Sequence, residues 1–173
     1  MTSPVRNLRF AWFPLAAGGK YNAFLAKTNG NGVLQWSHTY ECTSYNGAKF
    51  VQQTSDGGYI MAGESDDCMI SLRKVNSQGA VEREKKFDLS RGISVQQTSD
   101  GGFVFSGSNS IGTANPVAYR GKTNGQGVLQ WSRTYGTGRA ESIRQTPDGG
   151  YIMTGELNGK HPLIKTDSNG MVD

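Results

Sequence analysis

Val51-Gln52-Gln53-Thr54-Ser55-Asp56-Gly57-Gly58-Tyr59 returns as Val95-Gln96-Gln97-Thr98-Ser99-Asp100-Gly101-Gly102-Phe103, and again as Ile143-Arg144-Gln145-Thr146-Pro147-Asp148-Gly149-Gly150-Tyr151. A second marker recurs as Lys27-Thr28-Asn29-Gly30, Lys74-Val75-Asn76, Lys122-Thr123-Asn124-Gly125 and Lys165-Thr166-Asp167. A third, Gly32-Val33-Leu34-Gln35-Trp36-Ser37, comes back as Gly127-Val128-Leu129-Gln130-Trp131-Ser132, with Glu84 expected at the tryptophan position of the copy between them. Agreement at this level is internal repetition, and it divides a single domain, 1–173, into four units at about 10–40, 41–87, 88–135 and 136–173, the first incomplete.

Each unit breaks into segments of strand length, which in the second run from Ala48 to Thr54, Tyr59 to Gly63, Met69 to Val75 and Ala80 to Phe87. Asp-Gly-Gly separates the first two, and Asn/Asp-x-x-Gly separates the last two; both are hairpin signals because glycine accepts positive φ. No segment keeps an apolar 3.6-residue period over ten positions, while Val, Ile, Tyr, Phe and Trp crowd the short runs. The expectation is an all-β chain of four-stranded antiparallel meanders with almost no helix. Units of 40–50 residues with four strands each are the pattern of β-propeller blades.

Composition agrees with this reading. The 173 residues include 24 glycines and only 5 prolines, which fits many tight turns. The net charge is +4 with basic residues scattered along the chain, which argues against a nucleic-acid partner. The longest apolar run, Phe10 to Ala17, is too short for a membrane span. Arg6 and Arg9 ahead of it give a faint likeness to a secretory signal. Against that, Leu15-Ala16-Ala17-Gly18 falls into apparent register with Ile60-Met61-Ala62-Gly63.

In an alternating meander, the Asp-Gly-Gly and Lys-Thr-Asn/Asp turns emerge at the same end. Lys74 is therefore expected to meet Asp56, Lys122 to meet Asp100 and Lys165 to meet Asp148, as exposed structural ion pairs contributing about 0–1 kcal/mol each. Gln53, Gln97 and Gln145 recur on the inner strands, where an amide can satisfy backbone groups of the next unit. Trp36 and Trp131 are read as packing between units.

The opposite end carries loops that differ between copies, and any ligand is expected there. Its candidate binding residues are Glu41, Glu64, Asp66, Asp67, Arg91, Arg139 and His161. Cys42 and Cys68 also fall on this face, either as a disulfide or as two thiols. Glu64, Asp66 and Asp67 are read as solvated charges, and Asp167-Ser168-Asn169-Gly170 as a plain turn, so no metal site and no cofactor is assigned. His38 and His161 have no sequence companions that would make a nucleophile and base pair.

The Gln-Thr-Ser-Asp-Gly-Gly-Tyr-Ile segment, the following Lys-Thr-Asp/Asn-x-x-Gly and the Trp-Ser together resemble the tandem propeller repeats of many secreted or surface-attached bacterial and archaeal proteins. That resemblance covers about residues 14–173 and implies an extracellular or surface setting. The turn-then-tryptophan element is also similar to blades of quinone-dependent dehydrogenases, without the rest of their pattern.

The first copy lacks the Gln-Thr-Ser-Asp-Gly-Gly segment, and the last copy stops where its fourth strand would begin. Unpaired strand edges invite association. Three arrangements answer this: a small four-bladed ring with Pro4 to Arg9 as the missing inner strand, a half ring completed by a second copy, or a piece of a longer propeller. The function expected is a non-enzymatic binding or assembly module, with a homodimer favoured and a protein or carbohydrate as the other ligand. A polysaccharide hydrolase or lyase using Glu41, Glu64, Asp66 and Asp67 is the alternative, and a purely structural fragment is another.

Overall fold

The computed structural model describes residues 8–14, 21–40, 47–64, 69–87, 91–109 and 115–172. They form thirteen strands and no helix. The first unit holds β1 (Leu8–Pro14), β2 (Tyr21–Thr28) and β3 (Leu34–Tyr40), and the second holds β4 (Ala48–Gln53), β5 (Tyr59–Glu64), β6 (Ile70–Val75) and β7 (Val81–Phe87). After them come β8 (Arg91–Gln97), β9 (Phe103–Asn109), β10 (Val117–Thr123), β11 (Leu129–Gln145), β12 (Tyr151–Leu157) and β13 (Leu163–Thr166). The second unit's strands fall within a residue of their expected ends.

The chain is all-β with antiparallel sheets of three, four and six strands, each in sequence order. The six-stranded sheet exists because β11 runs straight through the boundary expected at 136, with a register shift where it leaves β10. Its first part is the outer strand of the third unit, and its last part is the inner strand of the fourth.

Hairpin chemistry sets this order. Thr54 N–H donates to the Gly58 carbonyl and Gly57 N–H to the Thr54 carbonyl, each at 2.9 Å, and the same two bonds recur around Gly101 and Gly149. Gly57, Gly101 and Gly149 have φ near +80°, a conformation that side chains resist. The third-to-fourth turns use a side chain instead: Asn76 Oδ1 accepts from Gln78 and Ala80 N–H at 3.0 and 2.9 Å. Asn29, Asn124 and Asp167 make the same pair of bonds, so Asp167 does what asparagine does elsewhere.

The units pack on one another through three apolar clusters, the third of them within the six-stranded sheet. Ala23, Leu25 and Tyr40 of the first unit meet Tyr59, Met61 and Val75 of the second. Ile60, Ala62, Ile70 and Leu72 meet Val95, Phe103, Phe105 and Tyr119, while Val104 and Ala118 meet Ile143, Tyr151 and Met153. Period-two alternation lets one strand serve two clusters: Ile60 and Ala62 face the third unit while Tyr59 and Met61 face the first.

The first unit departs from the expected register. Leu8 pairs with Lys27 as Ile60 pairs with Lys74, so Leu8–Ala11, rather than Leu15–Gly18, stands where Ile60–Gly63 stands in the second unit. The run richer in aromatic strand formers, Leu8 to Phe13, takes the strand. Leu8 and Arg9 therefore belong to the strand beside β2 and not to an inner strand, and Pro4 to Asn7 and Leu15 to Gly18 lie outside the described residues.

Candidate functional site

Three copies of one clamp hold the units at the end where the Asp-Gly-Gly turns lie. Nζ of Lys74, Lys122 and Lys165 stands 2.8 Å from Asp56, Asp100 and Asp148. The pairs form as expected, but in two of the three the lysine is buried rather than exposed. The Lys74 and Lys122 side chains are only 2% and 5% exposed, against 36% for Lys165, while the aspartates face water. Each ammonium also donates to the carbonyl of the next residue, Val75, Thr123 or Thr166, and Lys74 and Lys122 reach Glu82 and Gln130 as well.

The second glycine of each turn is there to admit that ammonium. A Cβ on Gly58, Gly102 or Gly150 would fall 2.5–2.7 Å from the lysine Nζ and 2.2–2.4 Å from the next carbonyl. Only the first glycine of each pair serves through positive φ. The aspartate completes the turn by accepting from the second glycine's N–H at 2.9–3.0 Å and from the threonine hydroxyl two residues before it.

These bonds hold all three carboxyls below the ordinary range. For Asp56 and Asp148 the lysine hydrogen bond is the chief cause, followed by the threonine. For Asp100 the largest influence is burial, which raises it, yet Lys122, Thr98 and Gly102 together bring it down to about 2.

The inner strands are linked by reciprocal amides. Gln52 Oε1 accepts from Gln97 N–H at 2.7 Å, and Gln97 Oε1 reaches back to Ser55 N–H at 2.8 Å. Gln96 and Gln145 repeat this one unit later, at 2.7 and 2.8 Å. The expected role of Gln97 and Gln145 holds, but half of the device, Gln52 and Gln96, was missed; its signal was the doubled glutamine. In the fourth unit Arg144 takes that position and lies over the Phe50 ring at 5.6 Å.

Tryptophan closes two of the three junctions, while the middle one has Phe87 against Phe105 at 4.7 Å. Trp36 packs edge-on against Tyr59, and Trp131 against Tyr151, both at 5.7 Å. Gly79 and Gly170 lie over the indoles so closely that a Cβ would stand 3.0 Å from either ring. Tyr40 and Tyr135 donate to those glycines' carbonyls at 2.7 Å. Burial pushes the Tyr40 phenol up to about 12 against the opposite pull of Arg73, whose guanidinium covers its ring. At the other junction the same place over Tyr135 is filled by fully buried Arg120, about 5 Å from Trp131, Tyr135 and Tyr151 and bonded to the Thr166 hydroxyl. Sequence reading did not find Arg120, because the second unit has Leu72 in its place.

The middle junction differs. Register pairs Arg83 with Lys74 as Trp36 pairs with Lys27 and Trp131 with Lys122, so Arg83, not Glu84, stands in for tryptophan. Counting four residues on from Gly79, as from Gly32 to Trp36, would have located it. Glu84 instead binds Arg73 at 3.0 Å and the Ser71 hydroxyl.

Of the opposite, variable end less is described. Glu41, Cys42, Asp66, Asp67 and Cys68 lie outside the described residues. Glu64 ends β5 and Arg91 begins β8. Arg139 and His161 are exposed, with Arg139 opposite Glu156 in the β11–β12 register and His161 following a tight turn at Asn158-Gly159. The structure does not bring Arg139 or His161 into a cluster; among the described residues no three His, Cys, Asp or Glu gather where a metal could sit, and no helix is long and apolar enough to cross a membrane.

No family model and no curated protein matches the chain. It is similar to the crystal structure of a protein of unknown function from Bacteroides caccae, with 14% identity and a TM-score of 0.48 over 88% of this chain and 74% of that one.

Proposed function

We propose that the chain is a non-enzymatic binding or assembly module on a propeller scaffold of about four blades, each unit being one blade of a tandem repeat. The observation that carries this reading is the reciprocal glutamine link, made identically between the second and third and the third and fourth units. Links of that kind set inner strands side by side at a fixed angle. The Arg144–Phe50 contact, which skips a unit, fits inner strands that curve around one axis. The perturbed carboxylates Asp56, Asp100 and Asp148 are all engaged in clamps, which suits a scaffold better than a catalyst.

Self-association is the form of this function that the fourth unit favours. On its free face, Ile152 is half-buried and Leu163 is 70% exposed. Ser142, Thr154 and His161 occupy the positions that Phe50, Ala62 and Ile70 hold where the second unit meets the third. An apolar centre with a polar surround suits contact between copies. An extracellular or surface setting belongs to the same proposal and rests on the resemblance of the repeats.

Light scattering behind size exclusion over a range of concentrations tests it. The expected mass is twice 18.7 kDa, with Leu163→Lys returning the protein to monomer. A wild-type monomer at every concentration would sink self-association and leave the variable end as the place to seek a ligand.

A further inference from the structure

The outer rims of the first and last junctions follow one plan: a ring, a basic or imidazole side chain two residues on, and a second ring two residues beyond. The first junction has Trp36, His38 and Tyr40, and the last has Trp131, Arg133 and Tyr135. The middle one has Arg83, Lys85 and Phe87. Phe103 replaces the tyrosine against which the indole packs, and Gly127 replaces the glycine that covers it. Where an indole would lie there is a recess of about 10 Å³, room for about one water, floored by Ile60, Leu72 and Phe103 and roofed by Gly127.

We propose that this junction is a receptor site for an aromatic carboxylate, whose ring takes the place that Trp36 and Trp131 fill in the other junctions and whose acid is held by Arg83 and Lys85. The Nε of Arg83 is buried and meets no acceptor among the described residues. Lys74, also beside the recess, is already neutralised by Asp56 and Glu82. Among the described residues the uncommitted positive charge at the mouth therefore belongs to Arg83 and Lys85, and a planar carboxylate matches a guanidinium fork.

Entry of a ring requires the Arg83 side chain to turn outward, which moves its charge toward the ligand's acid. Phe87 has no hydroxyl to give the Gly127 carbonyl, the bond that Tyr40 and Tyr135 make to Gly79 and Gly170, so a ring carrying an N–H or O–H is favoured. The site lies between two units and stands whether or not the array closes or dimerises.

The test is a titration of the full chain with indole-3-acetate, following the backbone amide signals of Leu72, Phe103 and Gly127. Saturable shifts at about 1 mM are expected, with uncharged indole about tenfold weaker. Arg83→Trp should fill the recess with the chain's own indole, raise Tm and abolish the shifts. Arg83→Gln, which keeps the recess, should weaken indole-3-acetate about tenfold without changing the response to indole. Absence of saturable shifts at those three amides, undiminished binding in a folded Arg83→Trp protein, or equal affinity in Arg83→Gln would each overturn the proposal.

Discussion

The last junction and the middle one share a frame and differ in their rims. Both have the lysine clamp beneath them and the reciprocal glutamine link at their inner edge. Both have a glycine roof, Gly127 or Gly170, but only the last adds the tryptophan and the tyrosine hydroxyl, where the middle one has Phe87 against Phe105. The first junction shares the rim, with Trp36, Tyr40 and Gly79, and its Gln53 amide donates to its own turn at Gly57 as Gln145 does at Gly149. Register and tightness are thus supplied by different residues. Clamp and link fix which strand meets which, and the aromatic rim decides how firmly the outer halves of two sheets hold together.

Trp131→Ala should expose that division most. It removes a partly buried ring from a junction and uncovers Arg120, whose charge is held by Trp131 and two tyrosines, so a loss of about 3 kcal/mol by denaturant unfolding is expected. Arg83→Ala at the middle junction should cost about 1 kcal/mol or less, since no ring is lost. Equal losses at the two positions would show that the rims do not differ in strength.

Lys122→Met comes next. It leaves the Thr123 carbonyl and Gln130 without their donor, for a loss of about 2 kcal/mol, tempered because Asp100 faces water. Lys165→Met, at a half-buried copy of the clamp, should cost about 1 kcal/mol or less. If the two proved alike, burial of the ammonium would not be what distinguishes one clamp from another. A smaller effect of opposite sign is expected from Arg83→Trp, a gain of about 1 kcal/mol from new ring packing against Phe103.

Most of the strand plan was legible because turn chemistry is local. Asp-Gly-Gly and Asn-x-x-Gly state where a hairpin must fall, and strands fill what lies between. The clamp was legible too, since alternation puts Asp56 and Lys74 at one end. What escaped depends mostly on a neighbour in another unit. The tryptophan-equivalent position was legible and miscounted: Arg83 follows Gly79 by four residues as Trp36 follows Gly32, and all three units share the irregular step beside it. Burial of the Lys74 ammonium follows from tight closure of Gly58 over it, and no pattern of types shows that. Arg120 is a solvent-facing residue by composition and becomes interior only because three rings from two units surround it.

Acid should act on the frame and spare the rim, which makes it the last and mildest way to separate them. Asp100 titrates at about 2 in the fold, below the ordinary carboxylate value of about 4, so its contribution is complete above that value and is lost as pH falls from about 4 to 2. Asp56 and Asp148 lie lower still and should follow in the same direction at lower pH. For Asp100 the loss should be about 1 kcal/mol once screening by solvent is allowed for. Amide signals of Gly58, Gly102 and Gly150, whose N–H groups donate to the three carboxylates, should therefore move with Gly102 leading, while those of Trp36 and Trp131 stay in place. Rim signals that moved with the glycines would mean that clamp and rim are one cooperative element, and the division of labour drawn between the junctions would fail.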